Sequence, residues 1–193
     1  MATTPNEAVS RAKEAKGEVA LKLVSPDILH KSDAGGVITG LKGEKNIRKA
    51  FREITKNARN YKPDADIRGV LVSPMAREGQ EVIIGTTLDD QFGPVIMYGL
   101  GGIMVEILKD VSFRVLPISR ASAKAMIRET KSYPILRGVR GGPPRDEKAL
   151  INLLLICSEV IESYPDIQEM DLNPVIVHEK GLTVVDARII LKP

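Results

Sequence analysis

Val19-Ala-Leu-Lys-Leu-Val-Ser-Pro-Asp-Ile-Leu-His-Lys-Ser-Asp-Ala-Gly-Gly36 is the stretch on which the reading of the fold turns. Its opening is short, apolar and stopped by Ser25-Pro26, which predicts a strand over 19–24. A loop follows and ends on a glycine pair, and a second strand is predicted near 37–41. Upstream, Thr4 as an N-cap with Pro5 at the first helical position predicts a helix over 5–16. Downstream, Ile47, Ala50, Phe51, Ile54 and Ala58 recur at helical spacing and predict a helix over 44–59. The first part of the chain therefore reads as helix, strand, loop, strand, helix.

The rest is strand-rich before it turns helical. Strands are predicted at 67–75, where Pro74 marks the end, at 80–87 and at 94–98. Gly99-Leu-Gly-Gly102 breaks the chain, and further strands are predicted at 103–108 and 112–117. Helices are predicted at 120–130 and 146–163, the second with Ala149, Leu150, Leu153, Leu154, Cys157, Val160 and Ile161 on one face. Arg137-Gly-Val-Arg-Gly-Gly-Pro-Pro144 between them is a loop by composition. Two final strands, 168–178 and 182–191, meet at Glu179-Lys180-Gly181.

Composition narrows the chemistry. The chain has 193 residues, 28 Lys plus Arg against 25 Asp plus Glu, and a net charge of +3. That excess is too small to imply nucleic acid, and at 4% aromatics with no Trp there is no stacking platform for single strands. Two histidines and one cysteine, far apart, cannot build a four-ligand zinc site. A single cysteine, Cys157, allows no internal disulfide and fits a reducing cytoplasm. No apolar run reaches the length of a membrane span, and the N-terminus lacks the apolar segment of a secretory signal.

Four segments could carry chemistry. In the loop His30-Lys-Ser-Asp-Ala-Gly-Gly36, the glycines let backbone amides approach an anion, while Lys31 and Ser32 add donors. A solvated hairpin loop is the plain alternative. His30 sits among those donors, and an imidazole nitrogen can accept a phosphoryl group. Lys22 inside an apolar strand is either a guard on an edge strand or a fixed cation aimed at phosphate. Glu81 and Glu106 are acids at the ends of apolar strands, by default facing solvent.

The last hairpin is the most physical clue. With the turn centred on Glu179-Lys180, Asn173 falls opposite Asp186; a bulge at Gly181 would shift that register by one. In the first register the two side chains share a face with Cβ atoms roughly 5 Å apart, and Asp171 lies on the same face. Such oxygens suit magnesium, which takes a few protein ligands plus phosphate. The competing reading of Asp171-Leu-Asn-Pro174 is turn chemistry alone.

These pieces occur together in a familiar order. With Val70-Leu-Val-Ser-Pro-Met75, Glu81-Val-Ile-Ile-Gly85, Gln91-Phe-Gly-Pro94, Gly99-Leu-Gly-Gly-Ile-Met-Val-Glu106, Lys109-Asp-Val-Ser-Phe-Arg114, Gly138-Val-Arg-Gly141, Asp171-Leu-Asn-Pro174 and Asp186-Ala-Arg188, the 19–36 stretch resembles the ATP-grasp domain of NDP-forming acyl-CoA synthetases. The likeness is to the beta subunit, or fused beta domain, of ADP-forming acetyl-CoA synthetase, and it spans nearly all of residues 19–190.

The resemblance implies an α+β (α/β) ATP-grasp fold of two lobes with mostly antiparallel sheets flanked by helices, residues 1–65 and 66–193. It implies ATP or ADP with Mg²⁺ held by such lobes. It further implies a CoA-binding alpha subunit or domain with a phosphorylatable histidine as partner in a hetero-oligomer. By the same resemblance Lys22 is the phosphate-contacting lysine, and the loop with Lys31, Ser32, Gly35 and Gly36 lies over the phosphates. Ser73 and Ala76 match the hinge at adenine and ribose, and Glu81 matches an acid that contacts the ribose. Asn173 and Asp186 match two magnesium ligands, with Asp171 and Glu106 as further candidates. His30 matches a histidine of phosphoryl relay.

Two departures stand out. Ser73 stands where relatives often carry Gln or Glu. Members usually carry about 20–30 more residues ahead of the Val19 strand, without which a sheet edge would be open. Alternatives to a working ligase subunit are an ATP-grasp module of a multidomain acyltransferase-type fusion and a scaffold whose nucleotide site has decayed.

Overall fold

The structure, a computed structural model, describes residues 1–101, 109–139 and 141–192. Its contacts divide the chain into two compact units, Met1–Met75 and Ala76–Pro193.

The first unit runs α1 (Pro5–Glu14), β1 (Val19–Val24), β2 (Val37–Leu41), α2 (Glu44–Tyr61) and β3 (Gly69–Pro74). Thr4 caps α1 by accepting from the Glu7 N–H, with Pro5 opening the helix. The three strands form an antiparallel sheet in the order β2-β1-β3. Val19, Leu21 and Leu23 of β1 alternate into a core with Ile47, Phe51 and Ile54 of α2 and Ala8 and Val9 of α1. Ala2 exchanges two backbone hydrogen bonds with Val70 at 2.8 Å, so the outer edge of β3 is covered at that point. The sequence-based division at 65/66 is corrected here. Residues 66–75 belong to the first unit because β3 pairs along the whole of β1, from Val19↔Pro74 to Val24↔Gly69.

The second unit carries β4 (Gln80–Asp89), β5 (Gly93–Leu100), β6 (Val111–Val115), α3 (Arg120–Arg128), α4 (Tyr133–Leu136), α5 (Glu147–Ser163), β7 (Ile167–Val177), β8 (Leu182–Val184) and β9 (Ala187–Leu191). Its sheet has the order β6-β5-β4-β7-β8, with β9 also paired to β7. Val82 and Ile84 of β4, Ile96 and Tyr98 of β5, and Met170, Leu172, Val175 and Val177 of β7 pack against α3 and α5. The short helix α4 is absent from the sequence reading, being only a turn long with Pro134 at its start. The strand expected at 103–108 lies outside the described residues. The last expected strand, 182–191, divides into β8 and β9, with Val185-Asp186 between them.

Asp146 fastens α5 to the last hairpin. Its carboxylate accepts from Ala149 N–H at 2.9 Å, as an N-cap, and from Gly181 N–H at 2.8 Å in the turn. Its own N–H donates to the His178 carbonyl at 2.8 Å. The backbone bonds from Gly181 and Ala149 hold the Asp146 carboxyl below the usual range. Because the folded value is depressed, this contribution is present above the unfolded-state value and lost as pH falls through the folded one. Asp146→Ala is expected to lower stability by about 1–2 kcal/mol at pH 7. Denaturant titrations should show the gap to wild type closing in acid; a gap that is unchanged at low pH would contradict the assignment.

Candidate functional site

In the first unit, Lys22 is 7% exposed in β1, the central strand, so the edge-guard reading of this lysine is excluded. It lies across from Val37 on one side and Leu71 on the other. Ala20 pairs with Ser73, so Ser73 and Lys22 share the sheet face opposite the Leu21–Leu23 core. Ser73 is half-buried. The His30–Gly36 loop joins this face through its backbone: Leu23 N–H, next to Lys22, donates to the Gly36 carbonyl at 2.7 Å. Gly36 N–H donates to Lys31 O at 2.7 Å and Gly35 N–H to Ser32 O at 3.0 Å, which makes the loop a closed turn. Gly35 has φ +59, where glycine is favoured, and a Cβ on Gly36 would meet Lys31 O at 2.9 Å and Leu23 Cβ at 3.0 Å. His30 and Ser32 are exposed and Lys31 is half-buried.

In the second unit, β7 pairs with β8 and β9 in the register expected for a turn centred on Glu179-Lys180: Val177↔Leu182, Val175↔Val184, Leu172↔Ala187 and Asp171↔Arg188. The alternative shift at Gly181 does not occur. Asn173 N–H donates to Asp186 O at 3.2 Å and Val185 N–H to Pro174 O at 3.0 Å, so Asn173 and Asp186 are neighbours across the strands. On its other side β7 meets β4 with one residue extra: Val82↔Val175 but Ile84↔Leu172. This bulge keeps Met170 and Leu172 buried before it and Val175 and Val177 buried after it. Asn173 and Pro174 sit at the break, with Asn173 exposed. Asp171 pairs with Gly85 and Glu81 with Ile176, and both acids lie on the sheet face away from α3 and α5. Glu81 is exposed, as is expected of it by default, and Ala76 is half-buried at the start of the unit. Glu106 lies outside the described residues.

The donor set can be tested against a metal. Asn173 and Asp186 offer an amide oxygen and a carboxylate. Among the described residues no three His, Cys, Asp or Glu side chains converge as a metal cluster. Few hard oxygen ligands fit magnesium, which retains water and takes substrate phosphate oxygens; they do not make an all-protein calcium or zinc cage.

Sequence reasoning passes over His178. It is 5% exposed, and its ring bonds the Glu78 carbonyl through Nδ1 at 3.0 Å and Thr183 Oγ1 through Nε2 at 2.9 Å. It thereby ties the approach to β4 onto the hairpin. A histidine at a strand end gives no sequence signal of that role.

With this geometry in place, the comparisons decide the family. The profile of the ATP-grasp domain family matches residues 1–191. The chain is 54% identical over 195 residues to the beta subunit of acetate–CoA ligase (ADP-forming) II of Pyrococcus furiosus, covering all of this chain and 83% of that one. It belongs to the ATP-grasp family, among the beta subunits of ADP-forming acetate–CoA ligases. A solved acetyl-coenzyme A synthetase 1 of Ca. Korarchaeum cryptofilum, in complex with coenzyme A and Ca-AMPCP, superposes with a TM-score of 0.95 at 48% identity, covering all of this chain and 84% of that one. A second structure of that protein holds coenzyme A and Mg-AMPPCP, with its phosphohistidine segment pointing towards the nucleotide binding site. It has a TM-score of 0.82 at 46% identity and is covered for 82% of its length by 97% of this chain. Among the described residues of this ATP-grasp chain, no helix is long and apolar enough to cross a membrane.

Cysteine chemistry has no place in this ATP-grasp chain. Cys157 is 2% exposed on the core face of α5, and burial pushes its thiol up to about 12. The native chain should resist iodoacetamide at pH 8 and become alkylated only in denaturant, as read by intact mass. Rapid native alkylation would contradict this burial.

Proposed function

We propose that the chain is the nucleotide-binding subunit of an ADP-forming acyl-CoA synthetase. It transfers a phosphoryl group between a phosphohistidine and ADP or ATP, coupled to acyl-CoA + phosphate + ADP = carboxylate + CoA + ATP. The partner is a CoA-binding alpha subunit or domain that carries the phosphorylated histidine, joined in a hetero-oligomer. The observation that carries the reading is the hairpin register that sets Asn173 beside Asp186, two hard oxygen ligands suited to Mg²⁺ and phosphate. The P. furiosus and Korarchaeum relatives, with their beta-subunit name and nucleotide complexes, support it.

The residues divide the work by chemistry. Lys22, a buried cation on β1, neutralises phosphate charge where water is scarce. The Lys31, Ser32, Gly35 and Gly36 loop presents donors to the phosphates. Ser73, Ala76 and Glu81 meet base and ribose. His30 receives or positions the travelling phosphoryl group. In the forward step the N–P bond of phosphohistidine breaks as a terminal β-phosphate oxygen of ADP bonds to phosphorus in line, giving ATP and a free imidazole. Magnesium held by Asn173 and Asp186, with Asp171 near by, would supply further neutralisation of the phosphate oxygens.

Calorimetry with ADP and magnesium tests this directly. Wild type should bind ADP in a magnesium-dependent manner, and Asn173→Ala plus Asp186→Ala should bind at least about tenfold more weakly while keeping its fold by circular dichroism. Equal affinity in the folded double variant, or no binding by wild type, would overturn the reading.

A further inference from the structure

Asn57 is out of keeping with its helix. The buried positions of α2 are Ile47, Ala50, Phe51, Ile54 and Ala58, all apolar. Asn57 is part-buried beside them, and asparagine is a poor choice for a helix interior because its side chain competes for backbone bonds. Its amide does something else: Nδ2 donates to the Gly35 carbonyl, 22 residues away in the chain, at 3.2 Å.

That bond completes a clamp. In a trans peptide the C=O of one residue and the N–H of the next point in opposite directions. The Gly35–Gly36 peptide is therefore held from both sides, its C=O by Asn57 and its N–H by Lys31 O at 2.7 Å. The Gly36 carbonyl then takes Leu23 N–H, next to Lys22. A peptide between two glycines is the one in this loop with the most rotational freedom, so it is where an external tether has most effect. Gly35 also yields space to the tether, since a Cβ there would sit 2.7 Å from Asn57 Nδ2.

We propose that Asn57 is the positioning residue of the His30–Gly36 loop, fixing the Gly35–Gly36 peptide so that the loop is pre-set for the phosphates of a nucleotide. This rests on the functional reading above for the ligand, and on the bond geometry alone for the clamp. Asn57 does not touch the nucleotide; it acts through Gly35.

Two variants test it in the full chain. Asn57→Asp is nearly isosteric but, as a carboxylate, cannot donate; Asn57→Leu removes the bond and favours helix, which protects the fold. Amide hydrogen exchange without nucleotide should rise about tenfold over peptides covering 31–37 and stay at wild-type rates elsewhere. ADP affinity should fall about three- to tenfold, whereas affinity for adenosine, which has no phosphate, should not change. Wild-type exchange in the loop would overturn the clamp, and equal loss of ADP and adenosine affinity would overturn its direction towards phosphate. Exchange decides the clamp by itself, so a wild-type chain that binds no nucleotide would overturn the functional reading instead.

Discussion

The hydrogen bond from Asn173 N–H to Asp186 O fixes how the last hairpin joins the sheet of the second unit. It sits between two demands on β7. Towards α3 and α5 the strand must keep Met170, Leu172, Val175 and Val177 buried. Towards β8 and β9 it keeps one register from Glu169 to Val177, the only shift lying before it at Ile167. A regular strand alternates strictly, and residues 172 and 175 cannot both face the core without an extra residue between them. The bulge at Asn173-Pro174 resolves this on the β4 side and leaves the pairing with β8 and β9 in step across residues 169–177. The polar pair is therefore placed by the packing of its apolar neighbours.

The first unit solves a related problem with a loop. Central strand β1 is buried along both faces, yet it carries Lys22 on the face opposite its apolar core. Burying an ammonium is costly unless charge or hydrogen bonding compensates it, so a lysine held there has a partner or a ligand in view. The adjoining loop closes on itself through backbone bonds to Lys31 and Ser32 and is tied to β1 at Leu23 and to α2 at Asn57. Polar groups in both units are thus held by secondary structure whose own stability comes from apolar packing.

Much of this was legible in the sequence. The Thr4-Pro5 start, the spacing of Ile47, Phe51 and Ile54, and the turn at Glu179-Lys180 each have a local cause, and each appears as expected. The hairpin register was readable because side-chain alternation is fixed once the turn is placed. Long-range pairing was not. Nothing local says that Gly69–Pro74 joins β1, so the division between units fell ten residues early at 65/66. Lys22 could not be told from an edge residue until its neighbours on both sides were known. Asn57 and His178 act through tertiary hydrogen bonds to Gly35 and Glu78, and single-sequence spacing carries no trace of them.

Asn173 and Asp186 are proposed to hold together the metal that accompanies the nucleotide. Crystals of the chain grown with ADP and Mn²⁺ would test it through the anomalous signal of manganese. One strong peak is expected within about 2.2 Å of an Asn173 side-chain oxygen and an Asp186 carboxylate oxygen, beside the ADP phosphates. A nucleotide-bound crystal with its manganese elsewhere, or with none near these two residues, would contradict it.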